Sequence, residues 1–352
     1  MVRPILERGG ASQAMTLLAV GLRQQGHQVS VATGGGHGVA GMKAAAIPLM
    51  HIPLSYRRFI PSVLQLAQIG RRQQIHLYHS HHRLTNLMCR MAGLLTGIPT
   101  VTTVHEFKTN RRLLTRLGMG RQVIVHSQAL KEHLVHHYGL PSSRITVVSP
   151  AIAMTELSPA CMQAARAVLP ESDALRFGSL ARFEVEKGMD ILLQAVHRLP
   201  AQDNPFQLIL VGDGPERPAL EAQVQGLGLT DKVYFAGWQD NVAGCIAHLD
   251  FLVLPSRSEG TGLVILEGWL QGRPTIASQV GGIPEIIQHG VDGWLVPPND
   301  PAALAAAIDC FLRQSKMVER LGRAGQQQLP NRFSQAQVIA RTELIYKSTW
   351  NR

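Results

Sequence analysis

The 352-residue sequence predicts an α/β protein built from two βαβ domains, each around a parallel sheet. Three observations predict it. Short apolar runs suited to buried strands alternate with longer apolar-periodic segments suited to helices, which is the pattern of βαβ units. The length is large for one domain and suits two. Charge also divides the chain: residues 1–150 hold 17 Lys or Arg against three acids, Glu7, Glu106 and Glu132, whereas 151–352 hold 17 Lys or Arg against 21 acids.

Composition removes several function classes. No stretch approaches the roughly 18 uninterrupted apolar residues of a membrane span. The start shows no signal-peptide pattern of basic residues, apolar run and small-residue cleavage site. Cys89, Cys161, Cys245 and Cys310 are far apart and form no CxxC pair, which suggests neither zinc site nor disulfide framework and makes a reducing cytoplasm the default. The basic first half also carries 12 of the 15 histidines. It should meet something anionic, such as a phospholipid surface or a phosphorylated glycan. Nucleic acid is disfavoured, because only 5% of residues are aromatic and no stacking platform is evident.

Within the first half, a strand of four or five residues is expected before Gly9-Gly10. A helix follows with Ser12 as candidate cap and Met15, Leu17, Leu18 and Leu22 on its apolar face. Gly26 ends it and 29–32 is a strand. Gly34-Gly35-Gly36 reads as a turn, since a bare glycine run carries no phosphate signature. Residues 75–79 form a strand with HSHH (79–82) at its end, 85–95 a helix, and 100–104 a strand ending in His105-Glu106. Residues 123–126 are a strand, and Ser127 caps a helix over 128–137. A strand at 145–148 closes the half. Residues 150–174, with Pro150, Pro159 and Pro170, read as the connection between domains.

The alternation then restarts: strand 177–180, helix 188–199, strand 206–211 ending in Gly212-Asp213-Gly214, helix 216–227 and strand 233–236. The central stretch is 251–278. Phe251-Leu252-Val253-Leu254 is a short buried strand, Pro255 and the serines around Arg257 break it, and a helix begins at Leu263. The free N–H groups of a helix's first turn favour an anion. Glu259 and Glu267 frame this start, and Gly260 and Gly262 let a ligand approach the main chain. Residues 274–277 form the next strand, then helices are expected at 284–288, 301–314 and 334–350.

Arg182 and Lys187, in ARFEVEKG, are candidates to hold a diphosphate. Spacing alone favours surface ion pairs with Glu184 and Glu186. Glu259 and Glu267 could likewise be solvated or capping carboxylates. HSHH is a poor metal site, because adjacent ligands on one loop give poor tetrahedral geometry and no carboxylate or Cys is near. The segment 107–121, FKTNRRLLTRLGMGR, would be amphipathic and cationic as a helix, either an ordinary solvated basic face or a membrane-surface segment. Arg57-Arg58 and Arg71-Arg72 add to the same field.

The second half resembles the C-terminal domain of the retaining glycosyltransferases of family 4, the glycosyl transferases group 1. The matching residues run in order: Arg182 and Lys187, LILVGDGPER (208–217), VYFAGW (233–238), Glu259 with seven residues before Glu267, GGIPE (281–285) and DGWLVPPND (292–300). Gly9-Gly10, GHQVSVAT (26–33), HSHH and TVHEF (103–107) match the family's first domain more loosely. Three departures stand out. Thr261 replaces a bulky residue, Gly268 replaces Ala, and Ser149–Ala153 lacks an Asp.

The resemblance implies a GT-B fold, two Rossmann-like domains with a deep interdomain cleft. They would span 1–155 and 156–333, with 334–352 a C-terminal helix free to pack back on the first. It implies a nucleotide-sugar donor and a glycan or lipid-linked acceptor, as in cell-envelope polysaccharide or lipopolysaccharide synthesis. No metal or other cofactor is expected. The implied catalytic set is His105, Arg182, Lys187 and Glu259. The implied donor-binding set is Gly9, Gly10, Gly260, Thr261, Gly262, Leu263, Val264 and Glu267. In those roles Arg182 and Lys187 hold the diphosphate, Glu267 the ribose, and Glu259 and His105 the transferred sugar. A sugar-nucleotide epimerase and a non-catalytic sugar-nucleotide-binding protein are the alternatives on the same fold. The basic first domain suggests a peripheral position on the inner face of the cell membrane.

Overall fold

The computed structural model describes residues 1–7, 9–154, 157–169, 174–200 and 205–350. They divide into two compact units, Met1–Ala153 with Phe333–Arg352, and Met154–Arg332. The expected domain boundary at 155/156 and the connecting Pro170 lie outside the described residues.

In unit 1 the chain runs α1 (Gly10–Gln24), β1 (Val31–Thr33), α2 (Val39–Ala44), β2 (Leu49–His51), α3 (Phe59–Arg72), β3 (Tyr78–Ser80), α4 (Arg83–Thr96), β4 (Thr100–Val104), α5 (Arg112–Gly118), β5 (Gln122–Val125), α6 (Gln128–Tyr138) and β6 (Ile145–Val147). The ladders β2-β1 and β3-β4-β5-β6 are parallel throughout. Val2 joins them, bridging Ala32 on one side and Ser80 on the other. The strand expected before Gly9 is therefore reduced to a bridge. Its backbone bonds run to both sides, Val2 N–H to His79 and His81 N–H to Val2, Arg3 N–H to Ala32 and Ala32 N–H to Met1, and Pro4, which has no N–H to donate, only accepts from Gly34.

Two further expectations for this unit are corrected. Ser12 does not cap α1: Gly9 holds the cap position at φ 129°, open to glycine alone, and Ser12 lies inside the first turn with its Oγ buried. The cationic segment 107–121 is helical only over α5. The Lys108 and Thr109 carbonyls accept hydrogen bonds from His133 and His137 on α6, which draws that stretch onto α6. Arg111, at φ 54°, then turns the chain into α5.

Unit 2 comprises α7 (Pro159–Arg166), β7 (Leu175–Leu180), α8 (Met189–His197), β8 (Phe206–Val211), α9 (Arg217–Gly226), β9 (Val233–Gly237), α10 (Val242–Ala247), β10 (Phe251–Leu254), α11 (Leu263–Leu270), β11 (Thr275–Ser278), α12 (Ile283–Ile286), β12 (Trp294–Val296), α13 (Pro301–Arg313) and α14 (Ser315–Arg332). α7 falls inside the stretch read as connector. Ser158 caps it, accepting from the Cys161 N–H, and Pro159 stands in its first turn. Ala165 and Leu169 are buried with Ile209 and Leu249, so this segment belongs to the unit's core.

The unit 2 sheet has the order β9-β8-β7-β10-β11-β12 and is parallel throughout. Phe177 on β7 stacks on Phe251 on β10 with ring centroids 5.0 Å apart, and Phe311 from α13 meets Phe251 edge-on at 5.1 Å. These rings anchor the largest buried cluster of the unit.

The last helix, α15 (Gln335–Trp350), belongs to unit 1. It packs on α1 and β4. Glu343 pairs with His27 at 2.6 Å, the Tyr346 hydroxyl lies 2.5 Å from His79 Nδ1, and Trp350 Nε1 donates to the His76 carbonyl at 2.7 Å.

The glycine at 268 has a packing reason. A Cβ there would meet Leu252 Cδ1 at 2.6 Å and the Arg273 carbonyl oxygen at 2.9 Å, because α11 lies close against β10 and the turn after it. Gly268→Ala is expected to destabilise the protein by about 1–3 kcal/mol, the usual cost of overpacking. The urea unfolding midpoint measures this, and an unchanged midpoint would contradict so close an approach.

Candidate active site

In the sheet order of unit 2, β7 and β10 are neighbours from which successive strands diverge in opposite directions. This is the topological switch point of a doubly wound sheet, and ligands bind beyond the carboxyl ends of its strands. The turn after β7 carries Arg182 and Lys187. The turn after β10 carries Glu259 and runs into α11.

The two turns are in direct contact. Lys187 Nζ lies 2.7 Å from Glu259 Oε2, and both side chains are largely withdrawn from solvent. Gly188 permits this approach: its φ is 66°, and a Cβ there would stand 2.1 Å from the Pro255 carbonyl oxygen. A second contact braces the pair. Arg257 grips Asp190 with two hydrogen bonds of 2.7 Å, Nη1 to Oδ1 and Nη2 to Oδ2. It also donates Nη1 to the Val185 carbonyl at 2.8 Å and its backbone N–H to the Glu186 carbonyl at 2.8 Å. The Arg257 hydrogen bonds hold the Asp190 carboxyl below its usual range. Sequence reasoning missed this brace. Its signal was an Asp three residues after Lys187 and an Arg two residues before Glu259.

The two basic candidates behave differently. Arg182 forms the surface pair that spacing allowed, with Glu184 at 3.0 Å. Lys187 does not pair with Glu186 and reaches Glu259 instead. An ammonium has three donors, and Glu259 is the one partner of Lys187 among the described residues. Two donors are thus available to an anion. The α11 helix begins beside them. Gly262, at φ 79°, occupies its cap position with no side-chain capping bond, so the first-turn N–H groups of Leu263 and Val264 are offered forward. Gly260 and Thr261 are buried within the same turn. Glu267 lies on α11 and is partly exposed.

Unit 1 gathers its histidines at the carboxyl ends of β3, β4 and β5. His79 Nε2 lies 2.7 Å from Thr103 Oγ1, and His81 Nδ1 lies 3.3 Å from His105 Nε2. The His105 and His126 rings are 5.3 Å apart, and His126 Nδ1 donates to the Val148 carbonyl at 3.0 Å. Burial pushes His79 down to about 3 and lowers His81, His105 and His126 below the usual imidazole value. All four are neutral at pH 7, as hydrogen-bonding groups. The sequence singled out His105 alone; the shared signal was a histidine directly after each apolar strand run. Among the described residues no group of three or more His, Cys, Asp or Glu is arranged to hold a metal ion. Gly9, ahead of α1, follows the Val2 segment as HSHH follows β3, so both lie at the corresponding switch point of unit 1.

Comparison with known proteins defines first the class and then the family. Anabaena HepE, solved in complex with UDP and glucose, is similar over 99% of this chain and 98% of its own, at 22% identity and a TM-score of 0.87. The fold is accordingly GT-B, with two Rossmann-like domains. The model for Glycosyltransferase Family 4 matches residues 8–156, and that for Glycosyl transferases group 1 matches residues 174–314. The N-acetyl-alpha-D-glucosaminyl L-malate synthase of Bacillus anthracis is 28% identical over 303 residues, 80% of this chain and 77% of that one. The lipopolysaccharide core biosynthesis glycosyltransferase LpsD of Rhizobium meliloti is 40% identical over 164 residues, about half of either chain at 47%. The chain belongs to the family 4 glycosyltransferases and is an enzyme of that type.

The histidine cluster has a consequence for stability. Below about pH 6.5 the unfolded chain protonates these imidazoles while the folded chain resists. Each then removes up to about 1.4 kcal/mol per pH unit, from about 6.5 down to its own folded value. The thermal midpoint of the protein should therefore fall between about pH 7 and about pH 5, with proton uptake on unfolding. A midpoint flat across that window would show that the histidines are not held neutral.

Proposed function

We propose that this enzyme transfers a sugar from a nucleoside-diphosphate donor to a glycan or lipid-linked acceptor, with retention of anomeric configuration and without a metal ion. The observation that carries the donor assignment is the Lys187–Glu259 pair at the switch point of unit 2, beside the uncapped start of α11. A diphosphate leaving group needs fixed positive charge aimed at it, usually the largest catalytic contribution. Lys187 supplies an ammonium with two further donors, and the N–H groups of Leu263 and Val264 add a helix start worth roughly 0.3–2 kcal/mol to an anion. Arg182 joins them by releasing its exposed pair with Glu184. Glu259 accepts from hydroxyls of the transferred sugar and Glu267 from the ribose. His105 contacts the same sugar, and Gly9-Gly10 approach the donor phosphates.

In this reading the sugar C1–phosphate oxygen bond breaks as the bond from C1 to the acceptor oxygen forms on the same face. The acceptor proton passes to the departing phosphate oxygen. Glu259 and Glu267 are not a glycosidase acid/base pair, since they serve different parts of the donor. The residues position reactants and stabilise charge. HepE, solved with UDP and glucose, makes UDP-sugars the first donors to try. LpsD, by its name, supports an acceptor in lipopolysaccharide core synthesis. A cytoplasmic enzyme on the inner face of the cell membrane fits that acceptor. Among the described residues no helix is long and apolar enough to cross a membrane.

A thermal-shift screen of UDP-, GDP- and ADP-sugars identifies the donor. With that donor, Lys187→Ala should lower turnover by at least about a hundredfold, the scale of losing one charge-stabilising donor. Unchanged turnover would refute the diphosphate role. Activity should survive EDTA, and proton NMR of fresh product should show the donor's anomeric configuration. Loss restored by a divalent ion, or an inverted anomer, would overturn those two parts separately.

A further inference from the structure

We infer that Asp190 and Arg257 are positioning residues for sugar transfer: their fork sets where Lys187 meets Glu259 and acts on the reaction through that pair. The inference deepens the proposed function and rests on that reading for the step it affects. Arg257 grips the chain on both sides of Lys187. Before Lys187, the Arg257 Nη1 donates to the Val185 carbonyl at 2.8 Å, and its backbone N–H donates to the Glu186 carbonyl at 2.8 Å. Beyond Lys187, Nη1 and Nη2 take the two Asp190 carboxyl oxygens at 2.7 Å each. The Ser258 N–H adds a bond of 3.3 Å to the Glu186 carbonyl. One residue of the opposite turn therefore clamps the Lys187 backbone from both directions. Glu259, two residues beyond Arg257, is held on its far side, where its carbonyl accepts from the Gly282 N–H at 3.2 Å. Asp190 lies in the first turn of α8, and its carbonyl accepts from Gln223 on α9 at 3.0 Å. The fork thus ties the turn after β10 to two helices as well as to the turn after β7.

The Lys187–Glu259 pair cannot supply this placement by itself. An ammonium is a point charge on a flexible stem, and a single contact leaves its direction free. In the proposed reaction the same two groups are also shared with the donor, Lys187 with phosphate oxygens and Glu259 with sugar hydroxyls. A guanidinium in two parallel bonds to a carboxylate fixes both distance and plane. The Arg257 and Asp190 side chains are 30% and 38% exposed, where solvent leaves an ion pair little worth as a stabilising contact. Their contribution is geometric. Catalysis by fixed charge depends on geometry, since a displacement of about 1 Å can cost about a hundredfold in rate.

Two variants separate the parts of the fork. Arg257→Lys keeps the charge and loses the two-point grip, and Asp190→Asn keeps the size and loses the charge. Each is measured alone and combined with Lys187→Ala, on protein whose circular dichroism matches wild type. Alone, each should lower kcat by about ten- to a hundredfold with the donor KM within about threefold of wild type. In the Lys187→Ala background the same changes should lower kcat by less than about threefold, because the group they position is gone. A second readout needs no turnover. Lys187 is acetylated with acetic anhydride and its peptide is followed by mass spectrometry. The wild-type amine, largely withdrawn from solvent against Glu259, should react slowly. Both fork variants should react several-fold faster, as should Glu259→Gln.

Unchanged turnover in both fork variants would overturn the inference. Losses that multiply with that of Lys187→Ala would also overturn it, since they would mark an effect on the fold at large rather than one acting through Lys187. So would a Lys187 acetylation rate that neither variant alters. Transfer absent with every donor, while the fork variants unmask Lys187, would defeat the proposed function and leave the fork as the device that places Lys187.

Discussion

The close approach of two turns at the centre of the unit 2 sheet governs the candidate site. β7 and β10 are adjacent because successive strands fan outward on either side of them. Each is followed by a turn rather than directly by a helix. Gly188 lets the first turn press on the carbonyl of Pro255 in the second, and the Asp190–Arg257 fork locks them. Lys187 and Glu259, 72 residues apart in sequence, meet as a result. The pair is worth little as a stabilising contact, since desolvation offsets much of its attraction. Its value lies in holding an ammonium at a fixed point beside the start of α11.

Unit 1 applies the same sheet logic to different chemistry. Neutral imidazoles replace the ion pair at its strand ends, and α15 closes over them through Tyr346. Their neutrality follows first from burial, and each other's proximity and Arg3 add to it by disfavouring the charged form. In a domain that is strongly basic at its surface, these neutral imidazoles lie beside one buried guanidinium, Arg3, whose Nη1 donates to the His81 carbonyl at 2.8 Å.

The second unit was the more legible from sequence, for a physical reason. Its central strands are buried on both faces, so 206–211, apolar but for Gln207, and 251–254, apolar throughout, match β8 and β10 residue for residue. β4 at 100–104 was equally clear. Elements whose packing uses small residues were not. α14 carries few large apolar residues, because Gly322 and Gly325 occupy two of its buried positions, against the Gly272 carbonyl and the Trp269 ring. α3 was hidden by a mixed pattern in which leucines alternate between the buried and the solvent face. α7 was hidden because its cap and Pro159 read as linker composition.

The sequence alone determined the alternation of strand and helix, the division of charge, and the ordered motif in which Lys187, Glu259 and Glu267 stand. It also marked Gly268 as a departure. Those properties follow from local propensity, burial period and residue order. Tertiary structure decided what local pattern cannot express. Of the two basic candidates, it sent Arg182 to a surface pair and Lys187 to Glu259. It cut the cationic helix to α5 and supplied the Leu252 and Arg273 contacts that leave no room for a methyl at 268. The Lys187–Glu259 contact depends on β7 and β10 being neighbours, and strand order is a long-range property of the chain.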